Sequence, residues 1–123
     1  MDWNKAIKDF NIYLSIERGL SKNTVDAYIR DIKSFSFFFR KKPLVVKRKD
    51  LIKYVHQLIE DGRIAIRNVR RDTLHHLKEY GKKEHISEDE IRRQELEIQK
   101  ITDKHIDSLN TIQENKEKEL MEN

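Results

Sequence analysis

Cysteine is absent from this chain of 123 residues, proline occurs once and glycine three times. Without cysteine there is no disulfide scaffold, no thiol nucleophile and no Cys-based zinc site. So few breakers exclude a turn-rich β-sandwich and collagen-like or Pro-rich disorder. No run approaches the roughly 18 apolar residues that a membrane span needs. The opening MDWNKAIKDF carries charges where a signal peptide needs an apolar stretch. The expected location is the cytoplasm, with no membrane partner. Charge is plentiful: 39% of residues are charged and 37% hydrophobic.

The net charge of +4 conceals an uneven distribution. Residues 1–46 carry 9 basic and 5 acidic groups, residues 47–83 carry 11 and 5, and residues 84–123 carry 6 and 12. A basic middle and an acidic tail have two readings. Either the basic face meets nucleic acid, or the two segments pair as antiparallel helices; both can hold at once.

Apolar spacing predicts an all-α chain. Trp3, Ile7, Phe10 and Leu14 recur at helical spacing over about 2–17. Gly19 sits where a left-handed cap belongs, and Ser21 can cap a second helix. Val25, Tyr28, Ile29, Ile32, Phe35 and Phe39 give that helix its stripe, and Lys41, Lys42 and Pro43 end it. A third helix starts near Arg48 and runs to about 80. Leu51, Val55, Leu58, Ile66, Val69, Thr73, Leu77 and Tyr80 share its face. Gly62 is either tolerated within it or ends it; Gly81 is the better stop. Ser87-Glu88-Asp89-Glu90 reads as a capping box opening a last helix to about 120. Its stripe is Ile91, Ile98, Ile101, Leu109, Ile112 and Leu120. Helices three and four would each be ~45–50 Å long and form an antiparallel hairpin.

The C-terminal half carries a specific resemblance. RIAIRNVRRD (63–72), HISEDEIRR (85–93), IQKITDKHID (98–107) and KEKELMEN (116–123) resemble ribosome recycling factor. Four blocks agree in order and spacing with the second and third helices of that family's three-helix bundle, through to its C-terminus. The N-terminal part differs. WNKAIKDFNIYLSIERGLSKNTVDAYIRDIKSF (3–35) resembles the start of the core-binding domain of Xer-type tyrosine recombinases. Its signature is YLSIERGLSKNTVDAY (13–28): a helix, a Gly turn, then a Ser-Lys-Asn-Thr helix start. KPLVVKRKDLIKYVHQLIEDG (42–62) suits both families, so the seam lies between about 44 and 63. The expected division is a recombinase-like segment over 1–46 and a recycling-factor-like hairpin over 47–123. A fusion of two gene pieces and a remnant left by a deletion remain alternatives.

The resemblance also exposes gaps. A recombinase needs a catalytic domain with a His-x-x-Arg motif and a nucleophilic Tyr, and no histidine here is followed by Arg at the third position. A recycling factor needs its own first helix and a second, β-containing domain, where the family meets elongation factor G. No catalytic residue, and no enzymatic activity, is therefore expected.

Arg63, Arg67, Arg70 and Arg71 form the strongest chemical feature. Their spacing sets three along one helix face and the fourth beside it. Arginine forks grip phosphate oxygens without reading bases. The recycling-factor resemblance implies that this helix packs on large-subunit ribosomal RNA, making these four the RNA-binding candidates. The competing reading pairs them with acids of the last helix such as Glu95 or Asp103.

Lys22, Asn23, Thr24 and Arg30 are the DNA-binding candidates, because the recombinase resemblance implies phosphate contacts here and a helix N-terminus offers free N–H groups. Plain capping plus solvated charge is the competing reading. No cofactor is expected. A metal site is not expected either, because no His pair has the i, i+4 spacing of a helical zinc site. His105 is expected to be partly buried in the bundle. Glu88, Asp89 and Glu90 suit a helix dipole better than catalysis. Of the run Phe37–Phe39, at least one faces outward and offers a self-association spot. The expected function is ribosome and rRNA binding of the recycling-factor type, with full activity doubtful without the second domain. A DNA-binding module without strand cleavage is the alternative, as is a non-functional fusion product.

Overall fold

The computed structural model describes residues 2–122. Four helices follow one another: α1 (Trp3–Ile12), α2 (Lys22–Phe38), α3 (Arg48–Lys83) and α4 (Glu88–Glu122). A π-turn (Tyr13–Glu17) continues α1, and a 3-10 turn (Pro43–Val45) precedes α3. The described residues contain no strand, so the expected all-α class with two long final helices is the observed one. The chain divides into two compact units, Met1–Tyr54 and Val55–Asn123.

In the first unit, Asp2 caps α1 by accepting from Lys5 N–H at 2.8 Å. The helix widens at its end, where Arg18 N–H reaches Tyr13 O at 3.0 Å. Gly19, at φ +61°, then turns the chain; nothing lies within 4 Å of where its Cβ would be. The backbone angle alone therefore favours glycine here. Ser21 caps α2, its Oγ accepting from Thr24 N–H at 3.3 Å. Leu14, Val25 and Ile29 are buried together, with Ile7, Phe10 and Leu20 packed around them. A second cluster is aromatic: Phe35 lies 5.8 Å from Trp3, 5.6 Å from Phe39 and 5.2 Å from Tyr54, centroid to centroid. Trp3 Nε1 donates to Lys41 O at 2.7 Å, so the indole is both packed and satisfied. Burial holds the Tyr54 phenol above its usual range, and the charge of Asp31 adds to that.

α2 ends at Phe38, several residues before Pro43. Phe39 is already extended, at φ −101° and ψ 95°, and its buried ring is drawn onto Phe35. Proline is therefore not what stops the helix; it opens the following turn. Asp50 starts α3 by accepting from Lys47 N–H at 2.9 Å, the back half of a capping box.

The second unit is a hairpin. Gly62 and Gly81 both lie inside α3, so Gly81 is not the stop that the sequence predicts. A Cβ on Gly81 would sit 2.5 Å from Ile91 Cδ1, and one on Gly62 would sit 3.2 Å from Leu109 Cδ1. Both glycines admit side chains of α4. The reversal is made at His85, which carries the left-handed φ of 55°. Ser87 Oγ then accepts from Glu90 N–H at 3.2 Å. The Glu90 carboxylate is engaged forward along α4, with Gln94 Nε2 and Arg93 Nη1 each at 3.1 Å.

Only part of each expected stripe is covered. Of the predicted stripes, Leu51, Val55, Ile66, Leu77, Ile91, Ile98, Leu109 and Leu120 are half-buried, while Leu58, Val69, Thr73, Tyr80, Ile101 and Ile112 are exposed; Ile59 and Thr102, outside those stripes, are buried. His105, expected to be partly buried, is exposed as well. Two helices can bury only the strip of each that faces the other.

Candidate nucleic-acid interface

The arginine row divides across the hairpin. Arg63 turns toward α4, where its Nη2 donates to Asn110 Oδ1 at 2.6 Å and to Gln113 Oε1 at 3.0 Å. Its Nη1 lies 3.0 Å from Glu60 Oε2, and the side chain is 22% exposed. Arg70 also turns to α4, donating from Nη1 to Gln99 Oε1 at 3.0 Å. Gln99 in turn donates to Asp103 at 2.8 Å. Arg70 Nε is buried with no hydrogen-bond partner. Arg67 and Arg71 point away, 50% and 71% exposed.

The ion pairs of the two outward arginines stay within α3: Arg67 lies 4.0 Å from Glu60 and Arg71 lies 3.7 Å from Asp72. Exposed pairs of this kind contribute about 0–1 kcal/mol, so phosphate can displace them. The competing reading pairs these arginines with Glu95 or Asp103, but Arg63 and Arg70 reach α4 through Asn110, Gln113 and Gln99 instead. Arg63 and Arg70 cross to amides, which hold the fork without neutralising it.

Lys78 and Lys82 extend the outward edge. They are exposed, and at 100° per residue they fall within a 60° sector with Arg67 and Arg71. Four cations thus line one edge of α3 over ~22 Å, from residue 67 to 82. Lys78 and Lys82 are not among the sequence candidates, although helical steps of seven and eleven from Arg71 lead to them.

On the opposite end of the hairpin, His56 Nε2 meets Glu117 Oε1. That hydrogen bond holds the Glu117 carboxyl below its ordinary value of 4.5, with burial opposing it and Gln113 assisting. A carboxyl depressed in the folded state contributes stability above its unfolded pKa, and the contribution fades as pH falls through the folded one. Glu117→Gln is therefore expected to flatten the loss of thermal stability on acidification below pH ~4.5, as read by melting curves from pH 6 to 3. An unchanged acid limb would contradict this.

The DNA candidates sit at the start of α2 in the first unit. Lys22, Asn23, Thr24 and Arg30 are all exposed. Thr24 N–H is taken by the Ser21 cap, and Ser21 Oγ donates to Thr24 Oγ1 at 2.9 Å. Asn23 and Arg30, seven residues apart, share a face; Lys22 and Thr24 point elsewhere. Among the described residues no group of three His, Cys, Asp or Glu is placed to hold a metal ion. No helix of the described residues is long and apolar enough to cross a membrane.

A family model described as ribosome recycling factor matches residues 45–121. A second, described as phage integrase, N-terminal SAM-like domain, matches residues 7–82. The chain belongs to both families. The two matches overlap over residues 45–82, which takes in nearly all of α3. Curated relatives named ribosome-recycling factor match as well. The ribosome-recycling factor of Thermus thermophilus is 51% identical over 75 residues, covering 61% of this chain and 40% of the relative. That of Thermosipho africanus is 45% identical over 80 residues, covering 65% and 43%. That of Thioalkalivibrio sulfidiphilus is 50% identical over 76 residues, covering 62% and 41%. The chain thus spans about two-fifths of the length of these relatives.

Proposed function

We infer that this chain is a non-enzymatic cytoplasmic protein that binds large-subunit ribosomal RNA, in the translation-recycling role for which its relatives are named. The observation that carries the reading is the outward edge of α3, with Arg67, Arg71, Lys78 and Lys82 in one line on the hairpin that matches the recycling-factor family. A single-sided line of cations suits a phosphate backbone, because it needs no base readout. Arg63 and Arg70, engaged with α4, act by holding the helix in place. The integrase match favours a second reading, duplex DNA binding through Lys22, Asn23, Thr24 and Arg30. It rests on fewer aligned cations, and one N–H of that helix start is already used.

The test is binding of the whole chain to large ribosomal subunits and to duplex DNA at one fixed salt concentration. The RNA reading expects subunit binding at least tenfold tighter. Equal or tighter DNA binding overturns it and installs the second reading.

A further inference from the structure

The hairpin of the second unit has an open apolar side that the arginine edge does not share. Leu58, Val69 and Tyr80 of α3 and Ile101 and Ile112 of α4 are 53–65% exposed. They flank a groove of about 510 Å³ whose lining includes Val69, Arg70, Thr73, Ile98, Ile101 and His105. We propose that this face pairs with the same face of a second copy of the chain, giving an antiparallel four-helix dimer.

Three observations point to a second copy. The first is size. From residue 58 to 80 the strip is ~33 Å long, and two helices ~9 Å apart make it ~18 Å wide. Two such faces bury on the order of 1,200 Å², above the roughly 1,000 Å² that a specific interface needs. The second is chemistry. The groove is lined mainly by aliphatic side chains and threonine, with Arg70 and His105 beside them, and a rotated copy offers the same surface, as an isologous two-fold contact requires.

The third is charge. At 100° per residue, the exposed flank of α3 beside the groove carries Asp61, Asp72 and Glu79 together with His76 and Lys83; Asp72 also lies 3.7 Å from Arg71. The flank of α4 carries Arg93, Lys100 and Lys104, with Glu97 among them. Gly62 lies level with Leu109 and Gly81 level with Ile91, so Asp72 is level with residues near 100. When the two-fold axis runs along the hairpin, levels are preserved and each α3 lies antiparallel to the other copy's α4. Asp72 then faces Lys100 and Lys104 of the second copy, and Glu79 faces its Arg93. Packing α3 against α3 would instead oppose like charges. The edge carrying Arg67 and Arg71 stays outside the dimer, so the pairing does not depend on RNA binding.

Sedimentation equilibrium of the full chain over micromolar concentrations tests this. Twice the chain mass is expected. Val69→Glu and Ile101→Glu should each weaken dimerisation at least tenfold while circular dichroism stays unchanged, because both residues are already exposed in the single chain. Asp72→Lys should weaken it, and adding Lys104→Glu should restore it. The chain is free of cysteine, so Asp72→Cys chains mixed with Lys104→Cys chains report the register independently by forming a mixed disulfide. A monomer throughout, no mixed disulfide, or no restoration by the charge swap overturns the proposal. So does a dimer that Phe37→Ser abolishes and Val69→Glu leaves intact, which would place pairing on the exposed phenylalanine run.

Discussion

Phe35→Ala is expected to destabilise the first unit by about 3–5 kcal/mol, the usual cost of emptying a buried phenylalanine site. Phe35 is 7% exposed and touches Trp3, Phe39 and Tyr54. Aromatic pairs add about 0.5–1.5 kcal/mol beyond the area they bury, so the loss lies toward the upper end. Phe37, two residues on, is 80% exposed. Phe37→Ala is expected to stay within about 0.5 kcal/mol of the unmodified chain. Urea unfolding followed by tryptophan fluorescence reads both, because Trp3 packs edge-on against Phe35 at 79°. Equal effects of the two substitutions would refute the aromatic cluster as the centre of this unit.

The second large effect concerns the arginines, and it separates two pairs that look alike in the sequence. Arg67→Ala and Arg71→Ala should each weaken large-subunit binding roughly tenfold to hundredfold, since a charge-assisted phosphate interaction is worth about 1.5–3 kcal/mol. Together they should make the dependence of log affinity on log salt shallower, by roughly 0.7–0.9 in slope for each phosphate no longer neutralised. Their melting temperatures should barely move, because exposed pairs contribute little and alanine is a good helix former. Arg63→Ala should do the reverse. It strips the donors from Asn110 and Gln113, and is expected to cost about 1–3 kcal/mol in stability with a small effect on binding. Parallel melting curves and subunit titrations on the same proteins check this. Reduced affinity from Arg63→Ala but not from Arg67→Ala would reverse the assignment.

Turns and caps set by immediate neighbours are legible in the sequence. Gly19 and Ser21 announce the first turn because a left-handed residue and a hydroxyl cap act on their immediate neighbours. Ser87 opens α4 for the same reason. Gly81 misled because a glycine that ends a helix and one that admits a neighbouring side chain look identical until Ile91 is placed against it. The reversal fell instead to His85, whose side chain gives no such notice. Pro43 misled in a similar way: α2 ends at Phe38 and Phe39 is already extended, well before the proline.

The arginine row was legible as a row. Its division was not, because spacing gives the angles between side chains and not the direction from which α4 approaches. Arg63 and Arg70 face α4, and Arg67 and Arg71 are turned away by the same geometry. Periodicity marked the full apolar stripes of both long helices. It could not say that one side would stay open, since that depends on how many helices share the core.

Directed hydroxyl-radical cleavage tests the central claim most directly. With cysteine absent, a single introduced one carries the iron probe. His75→Cys places it beside the edge formed by Arg67, Arg71, Lys78 and Lys82, and Ser108→Cys places it on the flank of α4 beside the apolar groove. Bound to large ribosomal subunits, the position 75 probe is expected to cut ribosomal RNA at a few clustered sites and the position 108 probe to cut weakly. No cleavage from position 75, or equal cleavage from both positions, would contradict the assignment of that edge to RNA.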